Sequence, residues 1–305
     1  MELTTLRQFI AVAREGHMTR AAERLGVGQP TLSAMLKKLE GELGATLLDR
    51  TGRGVALTEA GRAFLAHAES AVREADRGVE AVRGLLGLEQ GVVRVGGGAT
   101  ATTAMLPACC SAFLQAHPQV RVLLREAGSS EVARDVVEGG LDLGIVTLPV
   151  ETVGAGELMT VATVEDELRL ITPERHPLAG RSSFRWSDLA GERIVAFEAG
   201  SAVRREIDKA AAEHGHALGV VMELRSIESI RRMVAAGVGV GFVSRLVLPE
   251  GAGLTCHDGA LGRTLAVVRR RDRSLSPAAG AFELQLLRTL QSQNTNKTRP
   301  KSMGR

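Results

Sequence analysis

Apolar positions in the first 43 residues recur at helical spacing. Leu3, Leu6, Phe9, Ile10 and Ala13 form one stripe, and Leu32, Leu36, Leu39 and Leu43 form another, the steps of three and four expected of a half-buried helix. Between them Ala21, Ala22 and Leu25 offer a small apolar face that lets a neighbouring helix approach closely. Thr19 is placed to cap this middle helix through its hydroxyl. Gly26 and Gly28 flank Val27 and can supply the positive φ angles of a sharp reversal, and Pro30 suits the first turn of the helix that follows. The pattern predicts three helices, the last two joined by a tight turn.

Opposite the leucine stripe lie Gln29, Thr31, Ser33, Lys37 and Lys38. Short donors and acceptors near the helix start, followed by two cations, are what a recognition helix needs to reach base edges and then phosphates. A helical hairpin whose polar face merely meets water would carry the same pattern. The next segment separates the two. Leu47 to Arg50 and Val55 to Thr58 are short β-favouring runs around Thr51-Gly52-Arg53-Gly54, which predicts a hairpin with Arg50 and Arg53 at or near its tip. A helix-turn-helix followed by a basic hairpin is a winged helix-turn-helix, with wing arginines along the DNA backbone or in the minor groove.

From Thr58, which can cap a helix, Gly61, Leu65, Ala68, Val72, Ala75, Val79, Val82 and Leu86 keep alternating steps of four and three. Such a heptad seam over roughly 30 residues spans about 45 Å and predicts a partner helix from a second copy; the alternative is one helix lying on its own domain. From Gly91 the period changes. Strands are expected at 92–96, 120–126 and 141–147 with helices at 103–116 and 130–139, then strands at 167–172, 194–197, 220–224, 240–244 and 263–269 with helices at 202–214, 227–236 and 277–290. Alternation of this kind builds two α/β lobes joined by crossing strands, with ligand space where the strand ends of both lobes face each other. The last residues, SQNTNKTRPKSMGR, are polar and basic without period and predict a disordered tail.

The series Phe9 with Val12, Thr19-Arg20-Ala21-Ala22, Leu25, Gln29-Pro30, Ser33, Leu39-Glu40, Leu43-Gly44, Leu47, Arg50, Leu57-Thr58 and Gly61 resembles the DNA-binding head of LysR-type transcriptional regulators. The resemblance extends to the two-lobed part. It implies an α/β protein with an N-terminal winged helix-turn-helix (1–58), a linker and dimerisation helix (59–90), and a periplasmic-binding-protein-like effector domain (91–292). In that domain lobe I comprises 91–162 and 268–292, lobe II 163–267, and 293–305 form the tail. Implied DNA contacts are Gln29, Pro30, Thr31, Ser33, Lys37, Lys38, Arg50 and Arg53. Positions matching Thr100, Ser129, Thr147 and Ser201 line the inducer cleft in the family, with Thr102 and Thr103 as neighbours. The implied partners are double-stranded DNA, a small-molecule effector, and further copies of the chain, a homodimer through the linker helix and a homotetramer overall; the helix starts and hydroxyls at the cleft suit an effector bearing a carboxylate. Members often activate a neighbouring gene while repressing their own.

Charge and chemistry alter this picture little. The net charge is +3 and the pI near 9.0, so bulk electrostatics neither demand nor forbid nucleic acid. No run approaches the roughly 20 apolar residues of a membrane helix, the N-terminus lacks a signal-peptide core, and three cysteines argue against a disulfide framework; the expected location is the cytoplasm. Gly96, Gly98 and Ala101 satisfy G-x-G-x-x-A and Glu126 ends the next strand, so a dinucleotide-binding enzyme with a helical dimerisation head is the rival reading. Against it, Pro107 cuts the helix early and Glu126 lies farther on than that fingerprint expects. The same stretch through Thr103 opens a helix and reads equally as an anion cradle. No cofactor is expected. His214-Gly215-His216 lacks the neighbours of a zinc site and reads as a helix end, Cys109 and Cys110 read as core thiols, and no catalytic constellation is visible.

Overall fold

A computed structural model of the chain describes residues 1–51, 54–85 and 91–298, with backbone alone at 50–51, 80–81, 83–85 and 293–298. The chain divides into two compact units, Met1–Gly87 together with Glu138–Gly140, and Leu88–Val137 together with Leu141–Arg305.

The first unit opens with α1 (Leu3–Glu15), α2 (Met18–Leu25) and α3 (Gln29–Leu43). Leu6, Phe9, Ile10, Ala21, Ala22, Leu32, Leu36 and Leu39 close on one another as its core, joined by Leu47, Ala68 and Val72. The leucine stripe of α3 is therefore buried up to Leu39, whereas Leu43 is exposed. Gly26 ends α2 at φ 65°, the left-handed turn the sequence calls for. Gly28 instead sits at φ −67° as the N-cap of α3, so no special backbone freedom is needed there. Thr19 caps nothing: α2 begins one residue earlier, with His17 as N-cap and no side-chain bond. β1 (Leu48–Thr51) and β2 (Gly54–Leu57) pair antiparallel from Leu48 opposite Leu57 to Thr51 opposite Gly54. The hairpin is held to the end of α1, where Val55 N–H donates to the Gly16 carbonyl at 2.8 Å. Both Leu47 and Leu48 N–H donate to the Glu40 carboxylate at 2.8 and 3.1 Å, tying the wing to α3.

α4 (Glu59–Leu85) is capped by Thr58, whose Oγ1 accepts from Gly61 N–H at 2.9 Å. Its seam divides. Ala68 and Val72 pack into the head's own core, while Val79 and Val82 are 50% and 57% exposed. The first half of the heptad thus serves the chain itself, and the second half offers apolar surface. Leu86 lies outside the described residues.

The second unit is built on one eight-stranded sheet. Its strands are β3 (Gly91–Gly97), β4 (Val120–Glu126), β5 (Leu143–Leu148), β6 (Leu158–Ile171), β8 (Arg193–Phe197), β9 (Gly219–Leu224), β10 (Val240–Ser244) and β12 (Gly262–Arg270), while β7 (Ser183–Phe184) and β11 (Thr255–Cys256) form a small parallel pair. The order is β4-β3-β5-β12-β6-β10-β8-β9. Each half repeats one plan: three parallel strands, then a long antiparallel strand shared at the centre. The first half is covered by α5 (Leu106–Ala116), α6 (Ser129–Val137) and α9 (Pro277–Thr298), the second by α7 (Ala202–Glu213) and α8 (Ile227–Ala235). Phe113 of α5 meets Phe282 of α9 edge to face, centroids 5.0 Å apart, so the last helix returns to the first lobe. Residues 293–298 continue α9 where their composition predicts a disordered tail; 299–305 lie outside the described residues. Among the described residues no helix is long and apolar enough to cross a membrane.

The clearest departure from the sequence reading is β6. The pattern places its start at Glu167, yet the strand begins at Leu158, pairs with β12 from there to Glu167 and with β10 from Leu168 to Ile171. Glu165, Asp166 and Glu167 make the segment look like a polar linker. Asp166 is in fact 3% exposed, because β12 brings Arg263 directly opposite it.

Candidate functional site

In the first unit the opposite face of α3 is open. Gln29, Pro30, Thr31, Lys37 and Lys38 are exposed and Ser33 is half-buried. The geometry follows from the buried leucines, which fix the rotation of the helix and leave its N-terminal turn and both lysines outward. Arg50 lies on β1 with only its backbone described, and Arg53 lies outside the described residues.

In the second unit a cleft of about 420 Å³ opens at the C-terminal ends of the parallel strands of both lobes. Three helical starts converge on it: Thr100 before the π-turn Ala101–Met105 that leads into α5, Ser129 at the head of α6, and Ser201 at the N-cap of α7. Helix starts present unbonded N–H groups and the positive end of a dipole. The hydroxyls complement them. Thr100 Oγ1 accepts from Arg263 Nη2 at 2.8 Å, Ser129 Oγ accepts from Thr147 N–H at 2.9 Å, and Ser201 Oγ accepts from Arg204 N–H at 3.2 Å. Each hydroxyl is used as an acceptor, which leaves its own hydrogen for a ligand. Thr147, buried at the end of β5, also lines the cleft.

Thr102 and Thr103 do not line it. The turn carries them past the cleft side: Thr102 Oγ1 donates to the Glu126 carboxylate at 2.6 Å, and Thr103 is exposed. This bond also answers the dinucleotide reading, since the carboxylate meant for a ribose is engaged by a threonine. The glycines have a packing cause as well. A Cβ at Gly97 would approach that of Ala101 to 2.7 Å, and one at Gly96 would run into Leu141.

Side-chain charge around the cleft balances. Arg125, Arg225 and Arg263 line it together with Glu126, Glu131 and Glu198. Arg125 pairs with Glu131 and Asp135, and Arg225 donates to Glu198 at 2.6 Å. What positive character the cleft has therefore comes from helix starts and hydroxyl donors rather than from net charge. Beneath them lies a buried polar chain that the sequence reading overlooks. Arg263 Nε donates to Asp166 Oδ2 at 2.8 Å, Nη2 lies 2.8 Å from the same oxygen, and the two side chains are 2% and 0% exposed. Ser244 Oγ donates to Asp166 Oδ1 at 2.7 Å and accepts from Leu246 N–H at 3.1 Å. The signal was in the alternation: Asp166 is in phase with Val164, Leu168 and Leu170, and Arg263 with Leu265 and Val267, so period two places both charges on the inward face.

The thiols have no reactive setting. Burial first, then the neighbouring Cys110, pushes Cys109 up to about 12, and burial also raises Cys110 and Cys256, the reverse of what a redox cysteine needs. His214 is the C-cap of α7. Among the described residues no three His, Cys, Asp or Glu side chains gather as a metal site.

A winged head with an outward recognition helix, joined to a two-lobed domain with a donor-lined cleft, defines a ligand-controlled DNA-binding regulator. The comparisons agree. A profile described as bacterial regulatory helix-turn-helix protein, lysR family, matches residues 3–62, and the LysR substrate binding domain matches residues 86–291. The chain is 32% identical to a "Probable RuBisCO transcriptional regulator" of Cyanophora paradoxa, over 97% of this chain and 94% of that protein. It is 35% identical to the HTH-type transcriptional regulator AlsR of Bacillus subtilis (strain 168), over 80% of each. Among solved structures, the Synechocystis PCC6803 CcmR regulatory domain in complex with 2-PG superposes with a TM-score of 0.58 at 26% identity, covering 66% of this chain and 98% of that one. The chain belongs to the LysR family and is a LysR-type transcriptional regulator, with a helix-turn-helix head and an effector-binding domain, not an enzyme.

Proposed function

We propose that the protein binds operator DNA through α3 and the wing, and that a small anionic effector in the cleft controls it. Ser33 and Gln29 read base edges, Pro30 and Thr31 set the first turn against the duplex, and Lys37 and Lys38 meet phosphates. Arg50 and Arg53 of the wing run along the backbone or into the minor groove. The observation that carries the reading is the two-sidedness of α3, buried leucines on one face and outward donors and cations on the other.

Thr100, Ser129, Thr147 and Ser201 would hold the effector, and their free hydroxyl hydrogens fit a ligand rich in acceptors, such as a carboxylate. Thr102 and Thr103 drop out of this set. The exposed Val79 and Val82 of α4 are the surface through which two copies pair, placing two heads on two half-sites; pairing of effector domains would complete a homotetramer. The protein would act in the cytoplasm, where its DNA is. A mobility shift with the DNA upstream of its own gene tests the first part, and absence of any specific shift refutes it. Calorimetry with candidate metabolites on a Thr100→Val, Ser201→Ala double variant tests the second, and undiminished affinity rules out this placement.

A further inference from the structure

We propose that Arg263 is the anchor for an oxyanion of the effector, its unused Nη1 amino group taking one oxygen of a carboxylate or phosphate. The inference rests on the effector reading above and adds a residue that the hydroxyl set does not include. Arg263 lines the cleft, yet its side chain is 2% exposed. Its Nε is committed to Asp166 and its Nη2 to Thr100 and Asp166. Among the described residues nothing accepts a hydrogen bond from Nη1. A guanidinium is a rigid fork of five donors, and Nη1 is not among the buried side-chain atoms left without a partner, so this prong stays open for a ligand oxygen while the other two nitrogens are committed.

The surrounding groups fix what that ligand is. Asp166 offsets the charge of Arg263, so the anchor discriminates by directed donors and not by attraction at a distance. The Thr100 hydroxyl accepts from the same guanidinium and keeps its own hydrogen for a second oxygen. Two converging donors beside the starts of α6 and α7 match two oxygens of one oxyanion.

The connections of Arg263 also give occupancy a route into the fold. Thr100 belongs to lobe I, Arg263 and Asp166 stand opposite each other on the two crossing strands, and Ser244 ends β10 of lobe II. An oxyanion on Nη1 engages a side chain already bonded into both lobes. Occupancy is therefore registered at the strands that join them.

The test is calorimetry on the full chain with 2-PG, inorganic phosphate and acetate as separate probes and ethylene glycol as the neutral control. Wild type is expected to bind at least one anionic probe and not the control; phosphate or acetate alone tells which oxyanion is read. Arg263→Lys keeps a cation beside Asp166 but loses the fork, and should weaken binding about ten-fold or more with melting retained. Arg263→Met with Asp166→Asn removes anchor and counter-ion together and should abolish binding. Unchanged affinity in both, with loss in the Thr100→Val, Ser201→Ala variant, overturns the role of Arg263 and leaves the cleft reading standing. Unchanged affinity in every variant overturns both. A wild type that binds none of the anionic probes overturns the oxyanion assignment, while the DNA reading is judged separately by the mobility shift.

Discussion

Replacing Asp166 with alanine should destabilise the effector unit more than any exposed charge change, and the structure sets the scale. The substitution removes the acceptor of Arg263 Nε and Nη2, both at 2.8 Å, and the acceptor of the Ser244 hydroxyl at 2.7 Å. What remains is a guanidinium 2% exposed without a counter-ion. Breaking a buried pair from one side costs about 3–5 kcal/mol, and the lower end applies here because the adjoining cleft can admit water to the freed group. For a unit of roughly 200 residues that is a fall in melting temperature of about 6–12 °C. The chain carries a single tryptophan. Trp186 is buried beside Phe184 and Phe242, so its fluorescence follows this unit without interference from the head. Asp166→Leu combined with Arg263→Met should recover most of the loss, since an apolar pair of similar volume needs no counter-ion. A single-variant loss below about 1 kcal/mol, or a double variant as damaged as the single, would refute the claim that each partner depends on the other to offset its buried charge.

Lys37→Ala should weaken binding to all DNA sequences and reduce the salt slope of affinity by about one, read by titration at several salt concentrations, whereas Ser33→Ala should act at one operator position; an unchanged slope removes Lys37 from the contact set. Val79→Asp with Val82→Asp should lower the oligomeric state in sedimentation while the head keeps its melting temperature, because both side chains are exposed; an unchanged mass moves the interface elsewhere. Gly61→Ala, normally favourable in a helix by up to about 1 kcal/mol, should instead destabilise the head by about 1–3 kcal/mol. A Cβ there would overlap the Leu47 carbonyl and reach Leu57 at 3.0 Å; a neutral result by denaturation would show that the hairpin yields. Lobe II should be most stable between about pH 4.5 and 6.5, since Arg204 and Arg232 lower Glu223 and Glu228 from 4.5 and their contribution is full only above that value. Hydrogen bonding to the Ala210 carbonyl raises His214 from 6.5, so its contribution is full below 6.5 and lost as pH rises through the raised value. The backbone N–H of Trp186 lowers Asp258 from 3.8, so its contribution is lost as pH falls through the lowered value. His214→Gln should flatten the alkaline limb of Trp186 fluorescence melts.

Elements whose residues answer to a single environment were legible in the sequence. β4 and β10 fall where the alternation puts them, and α3 is fixed by Leu32, Leu36 and Leu39. Elements that answer to two environments were not. β6 spans both lobes, and its Glu165–Glu167 run looks solvent-bound until β12 supplies Arg263. Heptad spacing in α4 cannot say which partner takes each position, and half of the seam is taken by the chain's own head. Side-chain direction at the cleft was readable only where a turn was regular: Thr100 sits at the floor, while the π-turn carries Thr102 and Thr103 away from it. Family resemblance named the hydroxyls and missed the buried pair beneath them, because only strand phase reveals a charge facing inward.

The mirrored topology gives a cleft with balanced side-chain charge a means of selecting the anion proposed for it. In each half the parallel strands run the same way and deliver their helices at the same end, so the starts of α6 and α7 face a common space from opposite lobes. A ligand there meets two dipole ends, that of α7 with no acid in its first turn and that of α6 beside Glu131, which is paired with Arg125, plus hydroxyls already spent as acceptors. The carboxylates Glu126 and Glu198 do not undo this, because each is engaged, by Thr102 and by Arg225. Selectivity is then a matter of which donors remain unspent. A neutral isostere would leave the Thr100 and Ser201 hydroxyls and the starts of both helices without their matching acceptor, and the loss of those charge-assisted bonds is large enough to decide between ligands of equal size.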